Sequence, residues 1–262
     1  MNIRVLAIGD IVGQPGRDIV KKKLSGLLKD YKIDFCVANG ENSAGGSGIT
    51  PVIAEELLAN GVDVLTSGDH IWKRKEIFAL LDKEPRILKP ANYPARTPGY
   101  GYNIYKSKKG VSIGVANLQG RTFMVQQAES PFAEADKIVK DLSEKTKIII
   151  LDFHAEATSE KIALGWHLDG KISFLFGTHT HIQTADERVL PYGTAYITDV
   201  GMTGPYDSVI GRQKDKVLGA FITGMPHQFD VAEDDVKLCG AIATIDSDSG
   251  KASAIERLMV PF

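Results

Sequence analysis

Residues 1–10 read Met1-Asn2-Ile3-Arg4-Val5-Leu6-Ala7-Ile8-Gly9-Asp10, a short apolar run that stops at a glycine and a carboxylate. The run at 3–8 has the length and branched aliphatic content of a buried parallel strand. It is too short and too abruptly charged to be a secretory leader. Runs of the same kind predict further strands at 35–38, 62–66, 111–117, 147–153, 172–176 and 195–199. Between them, helix-period segments lie at 16–31, 51–60, 73–82, 132–145 and 159–164. Strands alternating with helices are the pattern of an α/β layered fold. The stretch 85–110 holds Pro85, Pro90, Pro94 and Pro98, and reads as an irregular excursion leading into a strand. The tail after Lys216 reads as β-rich, with strands at 218–222 and 238–246 and a turn at Asp246-Ser247-Asp248-Ser249-Gly250. No repeat, linker or low-complexity stretch breaks the chain, so one domain over 1–262 is expected.

Composition narrows the function classes. The 262 residues carry 31 Lys+Arg against 33 Asp+Glu, a net charge of −2. That balance lacks the basic excess of a protein that coats nucleic acid through its phosphates. A hydrophobic fraction of 43% with 24% charged residues excludes global disorder. No apolar run approaches the roughly 20 residues of a membrane span. Cys36 and Cys239 sit in apolar runs and form no disulfide scaffold, so a reducing, cytoplasmic setting is expected.

The informative residues follow the predicted strands. They are Gly9-Asp10, Asn39-Gly40-Glu41-Asn42, Ser67-Gly68-Asp69-His70, Asp152-Phe153-His154 and Gly177-Thr178-His179-Thr180-His181. Open α/β sheets bind ligands beyond the carboxyl ends of their strands. Singly, each signal has an ordinary alternative. An Asp after a strand also serves as a helix N-cap, Gly40-Glu41-Asn42 also makes a turn, and His154 also suits a core imidazole bonded to backbone. His179 and His181 stand apart: in an extended segment, i and i+2 project to one face, where two imidazoles can share a metal. Independent caps would not bring three histidines and three carboxylates to one edge. Imidazole and carboxylate donors without thiolate suit Mn, Fe, Zn or Co better than Ca or Mg. Asp10, Glu41, Asn42, Asp69, His154, His179 and His181 exceed one tetrahedral ion. They suit two ions about 3.5–4 Å apart with a bridging carboxylate, an arrangement that clamps a phosphoryl group. Dinuclear centres of this kind also hydrolyse amides, so the residues alone leave the target atom open.

The order of these motifs resembles the calcineurin-like metallophosphoesterases, and more narrowly their bacterial YmdB-type branch. In that branch Gly-Glu-Asn replaces the usual pair that carries a bridging aspartate. Further matches are Gly9-Asp10-Ile11-Val12-Gly13, Gly40-Glu41-Asn42-Ser43-Ala44-Gly45-Gly46, Asn117-Leu118-Gln119-Gly120-Arg121 and Thr198-Asp199-Val200-Gly201-Met202-Thr203-Gly204. The resemblance spans nearly the whole chain. It implies a four-layer αββα sandwich and a centre of two divalent or mixed-valence ions, Fe or Mn first and Zn or Co as alternatives. By motif position, Asp10 and His181 bind one ion and Asp69, His154 and His179 the other. Glu41 bridges them, and Asn42 is a ligand or close support. The implied chemistry is phosphodiester hydrolysis, notably of 2′,3′-cyclic nucleotides, by metal-activated hydroxide with His70 as general acid. Homo-oligomers, and partners in RNA turnover, are implied as well.

One position departs from the branch, whose members mostly carry Asn where this chain has Asp69. The added charge is expected to hold cations more tightly and to favour a protonated His70. Arg121, past a predicted strand end, is a candidate phosphate grip, with a surface salt bridge as its alternative. Thr178 is grouped with it as a substrate contact and, with Asn39, as a support that orients ligands. His167 and His227 read as structural, and the lysine runs at 21–23 and 106–109 as solvated faces. Tyr93, Tyr100, Tyr102 and Tyr105 read as packing rather than as a base-stacking platform. A metal-bound regulatory or nucleotide-binding protein with little turnover is the alternative to the enzyme.

Overall fold

The computed structural model describes residues 1–262. The first sheet is built from β1 (Asn2–Ile8), β2 (Asp10–Ile11), β3 (Phe35–Asn39) and β4 (Val64–Thr66). The second takes β5 (Tyr102–Lys106), β6 (Ser112–Gln119), β7 (Ile148–His154), β8 (Phe174–Thr178), β9 (Arg188–Val189) and β10 (Ala195–Ile197). The chain then returns to the first sheet with β11 (Met202–Pro205), β12 (Val236–Asp246) and β13 (Ala252–Pro261). The first sheet runs β2-β11-β12-β1-β3-β4, with β13 also paired to β12, and the second runs β5-β6-β7-β8-β10-β9. Strands β1, β3 and β4 are mutually parallel, as are β6, β7, β8 and β10. Strands β3 and β7 are buried at every residue, as parallel strands covered on both faces must be.

Three separate apolar clusters define the layers. Ile19, Leu24 and Leu27 of α1 (Gly13–Asp30) and Ala54 and Leu57 of α2 (Pro51–Ala59) pack on Leu6, Ile8 and Cys36 of the first sheet. Val5, Val37, Val64, Ile150, Phe174 and Phe176 fill the space between the sheets. Ile138 and Leu142 of α4 (Pro131–Ser143) and Leu164 and Leu168 of α5 (Thr158–Leu168) cover the far face of the second sheet. Helix, sheet, sheet, helix is therefore the stacking order, the four-layer αββα sandwich that the family resemblance implies. Thr50 and Ser130 start α2 and α4, each side chain accepting a hydrogen bond from the third residue of its helix, with proline at the first helical position.

Local expectations are corrected in four places. Residues 218–222 are not a strand: they lie in α6 (Lys214–Thr223), which ends at Gly224 with a left-handed φ of 68°. An apolar run of five residues does not separate strand from buried helix, and the glycine cap was the available signal. The stretch 85–110 is not wholly irregular, because Tyr102–Lys106 forms the antiparallel edge strand beside β6. The helix expected over 73–82 shortens to a 3-10 turn at Lys75–Ile77 and α3 (Phe78–Leu81). Strand β13, absent from the predicted set, completes a hairpin with β12 through the expected turn at 246–250. Tyr93 and Tyr105 pack as expected, Tyr93 against Trp72 and Tyr105 against Phe35, whereas Tyr100 is exposed.

Candidate metal centre

The carboxyl ends of β1, β3 and β4 in one sheet, and of β7 and β8 in the other, open at the same end of the sandwich. Three of these ends need glycine: a Cβ on Gly9 would collide with the Gly201 carbonyl oxygen. A Cβ on Gly68 would collide with the His154 ring, and one on Gly177 would collide with the Thr198 carbonyl oxygen. Close backbone approach at these turns is what lets the side chains from both sheets meet.

Glu41, Asp69, His154 and His179 converge so that one donor atom of each lies within 4.8 Å of all the others. His154 Nε2 lies 3.1 Å from Glu41 Oε1, 3.2 Å from Asp69 Oδ1 and 3.0 Å from His179 Nδ1. Asp10, Asn42 and His181 gather on the other side of Glu41. Asp10 Oδ1 lies 3.8 Å from His181 Nε2, and Asn42 Nδ2 lies 3.2 Å from that same nitrogen and 3.3 Å from Glu41 Oε1. Glu41 Oε1 thus touches both His154 and Asn42, and Asp10 Oδ1 lies 4.0 Å from His154 Nδ1.

Three surrounding contacts fix which nitrogen each imidazole presents. Thr178 Oγ1 donates to Asp152 at 2.7 Å, so it accepts from His154 Nδ1 at 2.9 Å and leaves Nε2 toward the cluster. His181 Nδ1 donates to the Ile210 carbonyl at 3.0 Å, and His179 Nε2 faces Glu156 at 3.1 Å. Outer partners of this kind orient imidazoles for a metal. His70 projects from the turn after β4, its backbone amide donating to Glu41 at 3.0 Å. Its Nδ1 sits 2.8 Å from Asn42 Oδ1, and its ring is partly exposed on a cavity of about 290 Å³.

Two observations show that this donor set fits a cation. Asp10 is fully buried, its Oδ1 has no hydrogen-bond partner, and burial raises its pKa against the pull of His181 and His154, a costly setting for a carboxylate. The titration of the cluster points the same way. Burial should strip the proton from His154, yet Glu41 and Asp69 hold its pKa well above the usual imidazole range. Burial likewise opposes ionisation of Asp69 and Glu41, and the His154 contact overrides it and lowers both. His179 moves the other way, down to about 4, through burial and then the charge of His154, which leaves it neutral. Beneath the cluster, burial pushes Asp152 up to about 7 against the pull of His154 and its hydroxyl and amide donors. A proton on His154 is thus held where the surrounding carboxylates call for a cation.

The family model for YmdB-like proteins matches residues 6–258. The chain belongs to the YmdB-like family. It is 48% identical over 258 residues to a 2′,3′-cyclic-nucleotide 2′-phosphodiesterase of Bacillus subtilis (strain 168), covering 98% of this chain and 97% of that one. Among solved structures it is similar to a hypothetical protein from Thermus thermophilus, with 38% identity, a TM-score of 0.92 and 99% of each chain covered. It is also similar to a novel phosphatase from Mycoplasma pneumoniae, with 32% identity, a TM-score of 0.93, and 100% of this chain and 94% of that chain covered. No helix is long and apolar enough to cross a membrane.

Three expectations for this YmdB-like site are corrected. Thr178 is fully buried against His154 and Asp152, so it orients an imidazole and has no surface to offer a substrate. Arg121 is exposed beyond β6, its amide bonded to Glu160 of α5, and it does not line the cavity. His179 and His181 do not ride on an extended segment. Strand β8 ends at Thr178, and both residues take left-handed φ values of 94° and 64°. Their loop is held by Asp10, which accepts the His179 amide at 3.0 Å, and by Asp199, which accepts the Thr180 hydroxyl at 2.7 Å. Asp199 in turn forms a buried ion pair with Lys161 of α5 at 2.7 Å. Nothing in the helical pattern around Lys161 signals that it turns inward. Glu156 and Arg212 line the cavity and were also missed. Glu156 was legible beside His154, whereas Arg212 lies in a loop without a motif. His167 pairs with Asp136 on the surface, in the structural role expected of it.

Proposed function

We propose that this chain, acting through residues 1–262 as one metallophosphoesterase domain, is a metal-dependent phosphodiesterase that opens 2′,3′-cyclic nucleotides. The observation that carries the reading is the convergence of Glu41, Asp69, His154 and His179 beside the buried, unpartnered Asp10 Oδ1. The activity named for the Bacillus relative supports the substrate class. By motif position Asp10 and His181 would hold one ion and Asp69, His154 and His179 the other, with Glu41 shared between them and Asn42 a ligand or close support of the first. Fe or Mn suits these donors best, and Zn or Co is the alternative. The chemistry such ions would supply when bound is an activated water and neutralisation of charge on the phosphoryl oxygens.

The remaining steps belong to the protein. Asn42 Oδ1 accepts a hydrogen bond from His70 Nδ1–H, so Nε2 is the nitrogen left to face the cavity. From there His70 delivers a proton to the departing ribose oxygen as general acid. Asp69 Oδ2 stands 3.7 Å from that Nε2. Glu156 and the Thr178–Asp152 pair keep His179 and His154 in the ligating orientation. Cytoplasmic placement rests on the two free, buried cysteines, and homo-oligomerisation and RNA-turnover partners on the family resemblance.

Hydrolysis of 2′,3′-cyclic AMP by purified protein with Mn²⁺ tests the reading, with a chelator and Asp10→Ala as controls. Turnover abolished by both is expected. Turnover that survives chelation would overturn a metal-dependent reaction, and binding without turnover would favour the regulatory alternative.

A further inference from the structure

A second cavity, a groove of about 580 Å³, adjoins the candidate metal centre. Ile210 and Arg212 line both spaces, so the two meet at these residues. The link is also covalently short: Ile210 gives its carbonyl to His181 and its side chain, half exposed, to the groove. Val217 and Phe221 of α6, with Met225 and Phe229 of the following loop, form the rest of the wall. Phe221 is 82% exposed and Met225 63% exposed, an amount of open aromatic and thioether surface that marks a binding face.

Arg212 is the only charged residue in that lining. Its guanidinium is fixed by the carbonyls of Gly45, Gly46 and Phe229 and not by a carboxylate. A fixed cation therefore stands where an apolar groove meets a centre built for phosphoryl oxygens. The size is right for a drug-sized ligand, and the lining is aromatic and aliphatic with one polar anchor, as small-molecule sites usually are.

We propose that this groove is the base-binding subsite of the enzyme. The phosphodiester lies at the carboxylate–histidine centre with Arg212 at its edge, and a flat nucleobase rests against Ile210, Phe221 and Phe229. The inference rests on the phosphodiesterase reading above and adds to it the residues that select a nucleotide over a bare phosphodiester. Contact between an aromatic side chain and a base tolerates any base, so the subsite discriminates nucleotides from smaller esters more than one base from another.

The test uses the metal-loaded full chain and two variants, Phe229→Ala and Phe221→Ser, with KM and kcat measured on 2′,3′-cyclic AMP. Ethylene phosphate, the same five-membered cyclic diester without sugar or base, is the comparison substrate. Phe221 is on the surface, so its replacement opens no core. KM for the cyclic nucleotide is expected to rise roughly tenfold in each variant. The ratio of kcat/KM between cyclic nucleotide and ethylene phosphate is expected to fall by a similar factor. An unchanged KM in both variants, with the parent active, would overturn the subsite and leave the phosphodiesterase reading standing. An inactive metal-loaded parent would instead overturn that reading. Sedimentation of the same proteins closes the remaining route: a parent oligomer that Phe221→Ser splits into monomers would assign the groove to a second copy of the chain and overturn the proposal.

Discussion

His70 and Asp69 are neighbours in sequence with opposite tasks. His70 spends Nδ1 on Asn42 and keeps Nε2 at the cavity, whereas Asp69 turns Oδ1 into the cluster at 3.2 Å from His154. His70→Ala should retain its metals and lose about 10²- to 10⁴-fold in kcat on a cyclic nucleotide. The loss should be smaller on a nitrophenyl diester, whose leaving group departs without a proton. Elemental analysis checks the first half and parallel kinetics the second; loss of metal from this variant would make His70 a ligand. Asp69→Asn tests the added charge. A carboxylate beside two cations binds them more tightly than an amide does, so the Asn variant should show a metal Kd raised at least about tenfold in a competition titration. Equal metal affinity in parent and variant would contradict a role for that charge. The seven donors were readable because each follows a strand in the sequence. Lys161 was not, because a lysine on an amphipathic helix ordinarily faces water, and only the structure reveals its carboxylate partner.

At the level of elements, the site depends on how loops leave strands. The turn after β8 carries two histidines in left-handed backbone, a conformation that non-glycine residues adopt only when their surroundings enforce it. Asp199, just past β10, is the enforcing group, and Lys161 is what keeps its buried charge tolerable. Lys161→Met should therefore cost about 3–5 kcal/mol by leaving Asp199 unpaired. Denaturant unfolding measures that cost. Metal affinity should fall about 10- to 100-fold with it, because the loop loses its anchor. A stable variant with parent affinity would remove the ion pair from the site's design. Gly177→Ala should destabilise by about 3 kcal/mol, since its new Cβ meets the Thr198 carbonyl; a thermal melt equal to the parent's would refute the close approach. The parallel strands were legible from apolar runs, and the α2 start from Thr50 and Pro51. Helix α6 was misread because its apolar residues suit either structure, and β5 because the surrounding prolines obscured an alternating strand.

The whole molecule exists in this form because neither sheet carries the centre alone. Asp10, Glu41, Asn42 and Asp69 come from the first sheet's edge, and His154, His179 and His181 from the second. The apolar layer of Val5, Val37, Phe174 and Phe176 sets their separation. A cation seated between the two groups binds the folded chain and not the unfolded one, so it should stabilise the sandwich by mass action. Removal of metal should accordingly lower Tm, and Mn²⁺ should restore it. The most direct test is the number of ions held per chain, measured by elemental analysis after equilibration with Mn²⁺ or Fe²⁺ and desalting, with turnover of 2′,3′-cyclic AMP read on the same samples. Two ions per chain, lost together with turnover in Asp10→Ala and under chelation, is the expected result. An active protein that holds no metal, or holds it with Asp10 and Glu41 both replaced by alanine, would contradict a catalytic centre at the joined edges of the two sheets.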